Sequence, residues 1–530
     1  MSRPVLSLAA VGLLLAGGVV GAQAARGEAG PAAARAPRAT TTPVAAAALA
    51  CPDPVTSAGS SGSAASSGSA ASSGAASSVV AAVSPSARTA PARGQLFARQ
   101  LLGRNRLQGD ALPGGGRAGV VTTRGELLHA VVPPRTGPVV VRATGALAPG
   151  AAAAQFTRVP AGDTTSAAGS ATARGTGLVD CAAPSTDAWF VGGAGGVGRT
   201  TTLYLSDPDP APALVDVVAW GPDGPIGSRA LRDLVVGATG QRVVRLDAEL
   251  PADVYALHVV ARQGRVASAL RVSETQGLQQ LGWDWVAPSQ APATRQVVPG
   301  VLGGSGTRTL RIVAPGSSGA VVRVSVLGVD ATLHPDAVSA VAVDAGTVAS
   351  VDVSELAGRT PAGLLLESDV PVTASVLERQ GAAVGSGTAP ADTASLPAAE
   401  PTRAGERAVL PYVATGTGRF AELSLSAPEA GATVRVSPLA RPGRAVAGGS
   451  RTVRVEAGRT VQLELDTAVG VYAHGVLVQV LEGSGPVWSA GTLREAGSDG
   501  PLITALALHP QPQVVRVPAA VEDLRLGSGS

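Results

Sequence analysis

The sequence predicts an all-β protein of about four tandem immunoglobulin-like β-sandwich modules, and three observations support this fold class. Glycine and proline are abundant, with Gly 68 and Pro 40 among 530 residues, which suits many turns and few long helices. Short Val, Leu and Thr runs alternate with Gly, Pro and Asp turns about every ten residues, which is typical of strands. One pattern of strands recurs about every hundred residues, the length of an immunoglobulin-like sandwich.

The recurring pattern is clearest in residues 189–224. They contain an opening strand, a glycine turn, a strand that ends before a proline, and a second Val-rich strand. The strand before the proline recurs twice downstream, with apolar residues at alternate positions, which predicts an antiparallel sheet with one buried face. The three copies are Leu203-Tyr-Leu205 before Pro208, Leu310-Arg-Ile312 before Pro315, and Leu423-Ser-Leu425 before Pro428.

Similar segments between the copies set the predicted module boundaries. These segments are Cys51–Pro54, Cys181–Pro184, Trp285–Pro288 and Leu396–Ala399. The first module is a divergent copy that carries a flexible Ser/Gly/Ala insert at 57–78. The predicted modules are 51–180, 181–284, 285–395 and 396–510, followed by a C-terminal tail at 511–530.

A β-propeller is the alternative fold, in which each repeat would supply two four-stranded blades. The Cys…Trp…Cys core of antibody-type domains is absent, so the sandwich prediction depends on repeat length and strand count. Aromatic residues make up only 2% of the chain, so the cores must consist of Val, Leu and Ala. We therefore expect contacts between modules to matter for stability.

The N-terminal residues predict export. A positive segment at Met1–Pro4, an apolar run at Val5–Val20 and a small-residue cleavage site at Ala22–Ala24 indicate a signal peptide at 1–24. An uncleaved anchor is the alternative, although such a run rises only about 24 Å as a helix. Residues 25–50 are rich in Ala, Pro, Arg and Thr and are interpreted as a disordered spacer. We expect an extracellular or cell-envelope protein that contacts the membrane only through this N-terminal segment, if it is uncleaved.

Cys51 and Cys181 are the two cysteines of the chain, and each stands at the head of a predicted module. Two cysteines in an exported chain are expected to form a disulfide. A Cys51–Cys181 bond would close a long loop around the first module. The chain-entropy model gives several kcal/mol of stabilisation for a loop of that size.

Motifs that could bind a cofactor or a metal are explained more simply by turns. Gly193–Gly198 matches the dinucleotide pattern G-x-G-x-x-G, but the β-prone segment Thr200–Leu205 follows where such a site needs a helix. Asp207 and Asp209 flank Pro208 and could bind Ca²⁺, yet D-P-D-P lacks the ladder of ligands found in calcium loops. We expect no cofactor and no metal site.

The remaining polar residues argue against two further classes of protein. The five histidines lack metal-ligand spacing, and no H-E-x-x-H, C-x-x-C or G-x-S-x-G motif is present, so no catalytic residue is predicted and the protein is expected not to be an enzyme. All 41 basic residues are scattered arginines and the net charge is only +3, so no nucleic-acid binding is expected. The histidines are His129, His258, His334, His474 and His509.

Trp283 and Trp285 form an aromatic pair on either side of the predicted module boundary between residues 284 and 285. Packing between modules is one interpretation, because Trp285 takes the place of Cys181 and Leu396 in the other boundary segments. A binding platform for a sugar is the alternative, since an indole combines a large apolar face with one polar N–H.

The motif W-F-V-G-G at Trp189–Gly193, followed by T-x-L-x-L, by Asp207-Pro208 and by V-x-V, resembles an actinobacterial family of secreted proteins, the domain of unknown function 5719. The resemblance covers most of the chain after Cys51. The motif is also similar to immunoglobulin-like repeats of bacterial surface proteins, which often have Asn where this chain has Asp207. Asp also suits an Asx-turn. The resemblance implies a secreted β protein and supplies no catalytic residues, because the family has no assigned activity.

The sequence therefore predicts an exported, non-enzymatic, multi-module β protein of the cell envelope with a scaffold or interaction role. A carbohydrate- or cell-wall-binding protein is the alternative, using Trp283 and Trp285 or a groove in a module. The expected partner is cell-wall glycan or another envelope protein. An extracytoplasmic hydrolase would need carboxylates, or a Ser/His pair, that come together only in the fold.

Overall fold

The computed structural model describes residues 40–54, 77–85, 93–101, 120–132, 137–159, 174–277, 279–356, 358, 360–381, 391–441, 449–465, 474–496 and 500–517. The chain forms two compact units, of which the larger is Pro43–Gln513. The smaller unit includes residues 40–42 of strand β1 (Thr40–Pro43) and strand β35 (Val514–Val517), and β1 pairs with β35. No helix in the described part of the chain is long and apolar enough to cross a membrane.

The larger unit contains four groups of strands, called modules 1 to 4 in chain order. Each module has two antiparallel sheets, a front sheet that contains its first strand and a back sheet that contains its last strand. Module 1 consists of β2 (Ala46–Cys51), β3 (Ser77–Val83), β4 (Gly94–Gln100), β5 (Val120–Val121), β6 (Leu128–Val132), β7 (Val139–Gly145), β8 (Ala152–Val159) and β9 (Gly175–Asp180). Its front sheet has the order β2-β7-β4-β5 and its back sheet the order β6-β3-β8-β9.

Module 2 repeats this arrangement and adds one short strand. It consists of β10 (Asp187–Gly193), β11 (Arg199–Asp207), β12 (Ala213–Gly221), β13 (Gly224–Ile226), β14 (Leu234–Val236), β15 (Gly240–Arg245), β16 (Tyr255–Gln263), β17 (Ala267–Gln276) and β18 (Gln279–Val286), with a 3₁₀ helix at Arg229–Leu231. The front sheet is β10-β16-β12-β13, with β14 also paired to β12, and the back sheet is β15-β11-β17-β18.

Module 3 has the same order, but one long strand serves both of its sheets. It consists of β19 (Ala293–Val301), β20 (Thr307–Ala314), β21 (Ala320–Leu327), β22 (Thr332–Leu333), β23 (Val341–Val343), β24 (Thr347–Asp352), β25 (Ala362–Gln380) and β26 (Asp392–Pro397), with a 3₁₀ helix at Asp336–Val338. The first half of β25 pairs with β19 and β21, and its second half pairs with β20 and β26.

Module 4 returns to eight separate strands. These are β27 (Arg407–Val413), β28 (Arg419–Ala427), β29 (Ala432–Leu439), β30 (Arg451–Val455), β31 (Arg459–Glu464), β32 (His474–Val480), β33 (Trp488–Glu495) and β34 (Leu502–Leu508). The front sheet is β27-β32-β29-β30 and the back sheet is β31-β28-β33-β34. The predicted all-β fold of sandwich modules is confirmed, and the described strands do not form a propeller.

The alternation seen in the sequence places one face of each strand in a core. Leu203, Leu310 and Leu423, the residues that align the three clearest repeats, are all fully buried between the two sheets of their modules. In β12, Val215 and Val217 point into the core and the intervening residues are only partly buried, so the strand follows the two-residue period of a pleated sheet.

The predicted disordered spacer at 25–50 is wrong for residues 40–43, which belong to β1, and for residues 46–50, which belong to β2. Leu49 and Ala50 are buried, and all of β2 pairs with β7. An Ala-rich segment shows no contrast between its two faces, so the alternation that marks a strand is not visible in it. Ser77 and Ser78 of the predicted insert begin β3, while the signal peptide at 1–24, residues 25–39 and residues 57–76 lie outside the described residues.

The four modules contact one another in a closed cycle. The first strand of each module packs on the back sheet of the next module in the cycle. Thus β2 packs on β11 and β17, β10 on β20 and β25, β19 on β28 and β33, and β27 on β3 and β8. The last of these contacts joins module 4 back to module 1.

Each junction of the cycle buries apolar side chains from both modules. Aromatic residues lie at all four junctions, which accounts for most of the few aromatic residues in the chain. Single buried clusters contain Trp285 with Val159, Trp189 with Val313, and Trp488 with Val297. At the fourth junction, the rings of Tyr412 and Phe156 stack with centroids 4.5 Å apart.

The C-terminal end of the larger unit joins module 4 to module 1 as the other linkers join their neighbours. The linker after module 1 binds the turn before β17 through a Ser185 N–H to Val266 O bond of 2.9 Å. After module 4, the N–H of Gly150, in the corresponding turn of module 1, donates to Pro512 O at 2.8 Å. The segment that follows β34 therefore completes the cycle without a covalent link.

Candidate functional site

The last strands of the four modules meet at one place. β9 and β26 each pack against both β18 and β34, so the four strands surround a common centre, here called the hub. These strands lie at one edge of their own back sheets, which leaves their outer edges available for contact with the other modules.

Asp284 connects three modules at the hub. Its Oδ2 accepts a hydrogen bond from the backbone N–H of Ser395 in module 3 at 2.8 Å, and its Oδ1 accepts one from the Thr504 hydroxyl of module 4 at 3.1 Å. The Thr504 oxygen in turn accepts the N–H of Leu178 in module 1 at 2.8 Å. One connected set of hydrogen bonds thus includes all four modules.

Asp392 of module 3 makes a second set of such bonds. Its Oδ2 accepts the backbone N–H groups of Ile503 in module 4 at 3.0 Å and of Thr176 in module 1 at 3.2 Å. The side chain is completely buried. Backbone N–H groups at exposed strand edges need acceptors once they are buried, and the two carboxyl groups supply them.

Burial strongly affects the ionisation of both hub acids. It raises the pKa of Asp392 to about 8, against a smaller opposing effect of the N–H donors. It also raises the pKa of Asp284 well above its usual range, and repulsion from Asp392 adds to the rise. Burial therefore favours the protonated form of Asp392 at neutral pH, because an ion loses its hydration in this environment.

Trp283 and Trp285 lie beside the hub, between modules 1 and 2. They are 2% and 1% exposed, and their rings meet edge to face with centroids 6.4 Å apart. Both rings cover the glycine-rich strand β9, where a Cβ on Gly177 would lie only 2.5 Å from Trp283 and 2.8 Å from Trp285. The alternative of a surface binding platform at these residues is wrong, because neither indole face is accessible.

The predicted disulfide is present. Cys51 and Cys181 are bonded with an S–S distance of 2.03 Å and are 0% and 3% exposed. The bond joins the end of β2 to the segment that leaves module 1, and next to it the N–H of Ala50 donates to Ala182 O at 2.9 Å. It therefore closes module 1 at the point where the chain passes to module 2.

The two segments interpreted as turns in the sequence form turns in the structure. Gly196 and Gly198 of the glycine motif have φ of 92° and 77° and form the turn between β10 and β11, which only glycine adopts easily. Oδ1 of Asp207 accepts the N–H of Asp209 at 2.8 Å, which is an Asx-turn. Asp209 also pairs with Arg265 at 2.8 Å. Among the described residues, no group of three or more His, Cys, Asp or Glu side chains could hold a metal ion.

A groove of about 650 Å³ opens on module 4 beside Gln380, the last residue of β25 in module 3. Phe420 and Glu422 project into it from β28. Arg494 on β33 lies opposite Phe420, and Glu464 on β31 lies opposite Glu422. Phe420 is 53% exposed, and no other aromatic side chain in the described ranges is exposed to this degree.

Two of the residues that line this groove contain enclosed polar atoms without hydrogen-bond partners in the described structure. Arg494 pairs with Glu422 through one nitrogen and one oxygen, but the other carboxylate oxygen of Glu422 and Nε of Arg494 are buried and unpartnered in the described structure. A smaller depression of about 140 Å³ shares Arg419, Arg494 and Glu495 with the groove and extends to Arg158 of module 1. The two depressions are therefore continuous.

The groove lies where an ion pair between modules is interrupted. Arg379 of module 3 pairs with Glu274 of module 2, and Arg158 of module 1 pairs with Glu495 of module 4. Between modules 3 and 4, Arg494 occupies the position of Arg379 in its own module. In module 3, the position equivalent to Glu274 and Glu495 is occupied by Gln380, so Arg494 has no glutamate to pair with across this junction.

The strand registers establish this correspondence. The aligned leucines of modules 2, 3 and 4 pair with Leu270, Val376 and Gly491 of the neighbouring strand. The fourth residue after each of these is Glu274, Gln380 and Glu495. The third residue after Val376 is Arg379, and the third after Gly491 is Arg494. Sequence reasoning missed Phe420 and the groove. Phe420 would have been found by the same alignment, since Thr200 and Thr307 occupy its position in modules 2 and 3.

The fold and the hub define a class of protein in which β-sandwich modules are joined through the edges of their last strands. The chain belongs to the family of unknown function DUF5719, whose profile matches residues 129–466, more than half of the sequence. This confirms the resemblance drawn from the W-F-V-G-G motif. No curated protein matches the chain.

Proposed function

We propose that the protein is an exported, non-enzymatic scaffold of the cell envelope that holds four β modules in fixed positions and presents their outer surfaces to a partner. The observation that carries this proposal is the hub. The acids that an enzyme could use there, Asp284 and Asp392, accept hydrogen bonds from groups of other modules and are completely enclosed. Their chemistry serves assembly of the modules.

Export is supported by the disulfide and by the N-terminal sequence. A buried disulfide such as Cys51–Cys181 persists in oxidising compartments outside the cytoplasm. The apolar run Val5–Val20 is of signal-peptide type. The partner is another envelope protein or cell-wall glycan.

Cell fractionation tests the location. A C-terminally tagged protein expressed in its native host is expected in the envelope or the medium, and mass spectrometry of the purified protein is expected to show an oxidised Cys51–Cys181 pair. A reduced protein in the cytoplasmic fraction would contradict the proposal.

The scaffold role is tested by separating the modules without removing any of them. Asp284→Ala is expected to weaken the hub and reduce the function measured in a deletion strain, whereas the exposed variant Asp330→Ala is expected to restore the strain fully. Full complementation by a hub variant whose modules no longer pack together would overturn the scaffold role.

A further inference from the structure

We propose that the cycle of modules has a pH-sensitive closure, which loosens in acid when His129 gains a proton. The closure consists of the contacts that β27 of module 4 and the segment 509–513 make with module 1. Chain linkers cross the other three junctions, so this junction can open while the order of the modules stays the same. The proposal concerns the fold itself and does not depend on the location or the partner of the protein.

His129 lies at this closure, on β6 of module 1. Its ring stacks with that of Tyr412 on β27, with centroids 6.4 Å apart. Two residues earlier, the N–H of Leu127 donates to Ala440 O of module 4 at 2.8 Å, and the next residue of module 4 is Arg441. The His129 side chain is only partly exposed. A proton on it would therefore place a second positive charge near Arg441 in a partly dehydrated contact.

The groups that face His129 from module 4 make its protonation unfavourable. Within its own sheet, His129 lies opposite Ala81, which carries no charge. Across the junction it faces Tyr412 and Arg441, of which Arg441 is the charged group that acts on the imidazole. Further charged groups are Arg124 and Glu126 in the segment before β6, and Arg419 and Glu495 around Tyr412.

The closed cycle favours the neutral form of His129. Burial and the charge of Arg441 lower the pKa of His129 from 6.5 to about 4. When the contact opens, the ring is hydrated and returns toward its ordinary pKa, so the open form takes up a proton first. Closure is therefore strongest above about pH 6.5 and weakens as the pH falls toward 4. At pH 5 this linkage makes closure weaker than at pH 7.5 by at most about thirtyfold.

His509 adds a second group that titrates in the same direction. It begins the segment that completes the cycle and directly precedes Pro510, which bridges to Ala408 of β27 beside Arg407. Burial lowers the pKa of His509, against a smaller opposing effect of Glu400. Release of this segment hydrates the ring, so protonation of His509 also favours the open form.

The hub responds to pH in the opposite direction and serves as an internal reference. Asp392 accepts the N–H groups of Ile503 and Thr176, and burial raises the pKa of Asp392 to about 8. As the pH falls from 7.5 to 5, the folded hub therefore gains stability relative to the unfolded chain. Acid thus loosens the outer contact of modules 4 and 1 while the hub still holds them, and the surfaces buried between the two modules become accessible.

Hydrogen exchange of the full chain at pH 7.5 and pH 5, corrected for the intrinsic exchange rates, tests the proposal. The amides that report on the closure are those of Leu127 and Gly150, which donate to carbonyl groups of the C-terminal module and its following segment. Their protection factors are expected to fall by about tenfold or more at pH 5. Those of the hub amides Ser395 and Ile503 are expected not to fall.

His129→Gln keeps a polar side chain that does not titrate, so this variant is expected to lose most of the pH dependence, and the double variant with His509→Gln is expected to lose the rest. His129→Phe, which keeps a ring against Tyr412, takes its place if His129→Gln does not fold. The exposed His334 gives the matched control, and His334→Gln should respond to pH like the wild type.

Three results would overturn the proposal. In the first, Leu127 and Gly150 of the wild type are protected equally at both pH values. In the second, the hub amides lose as much protection as these two amides do. In the third, a folded variant without the titrating groups at positions 129 and 509 keeps the full pH dependence.

Discussion

The backbone N–H of Ser395 in module 3 donates to Oδ2 of Asp284 in module 2 at 2.8 Å. Because Thr504 of module 4 donates to the other oxygen of the same carboxyl group, loss of Asp284 leaves two buried donors unsatisfied. Asp284→Ala is therefore expected to lower the free energy of unfolding by about 2–5 kcal/mol, measured by guanidinium titration. Asp330→Ala on the surface should change it by less than about 0.5 kcal/mol. Equal effects of the two variants would show that the hub bonds do not stabilise the assembly.

The pH dependence of stability provides a separate test through Asp392. Its pKa rises from 3.8 in the unfolded chain to about 8 in the folded protein, so between these values the folded state binds a proton that the unfolded state does not. The free energy of unfolding therefore falls as pH rises through this window, by at most about 1.4 kcal/mol per pH unit for this group. Asp392→Asn removes the titration, so the variant should gain stability relative to the wild type between pH 5 and pH 9. Melting curves at both pH values measure this, and an unchanged difference would refute the assignment.

Gly177 is expected to tolerate no side chain. Its added Cβ would lie within 3 Å of both indoles, Trp283 and Trp285, and both rings are almost completely buried. Overpacking of this kind costs about 1–3 kcal/mol, so Gly177→Ala should unfold at lower denaturant concentration, with a changed tryptophan emission in the native state. Gly237→Ala, where nothing lies within 4 Å, serves as the control. Wild-type stability of Gly177→Ala would mean that the indoles are loosely packed.

Removal of the disulfide should destabilise the protein. Cys51 and Cys181 are 130 residues apart, and the chain-entropy model gives about 5 kcal/mol for closing such a loop. The double variant Cys51→Ser/Cys181→Ser is therefore expected to melt at a lower temperature than the oxidised wild type, and to match the reduced wild type in calorimetry. Thiol titration of the denatured, unreduced wild type should find no free thiol. Two thiols per chain would contradict the bond.

The repeated modules were predictable because their signal is local. Leu203, Leu310 and Leu423 lie in strands with a two-residue period, and each is followed at similar spacing by a proline and another strand. The disulfide followed from the cysteine count and the export signal. By contrast, β2 has an Ala-rich sequence whose two faces look alike, so its inclusion in a sheet appears only once its partner β7 is known.

The closed cycle and the groove were beyond sequence reasoning for a related reason. Contacts between modules use small residues and backbone groups, such as Gly177 or the N–H of Ser395, and these have no distinctive pattern along the chain. The burial of Trp283 depends on strand β9, more than a hundred positions away in sequence. Phe420 stands out once the repeats are aligned on Leu203, Leu310 and Leu423, but its exposure appears only in the structure.

The contact of β27 with β3 and β8 has a consequence for how such a protein can change during evolution. A linear array of repeats tolerates gain or loss of a unit, because each unit meets only its neighbours and caps protect the two ends. In a closed cycle, adding or deleting a unit would change the angle that closure requires between neighbouring modules. With the junctions unchanged, the last module would no longer reach the first. Lengthening is confined to segments between strands, such as the one between β2 and β3, and the number of modules is fixed by geometry.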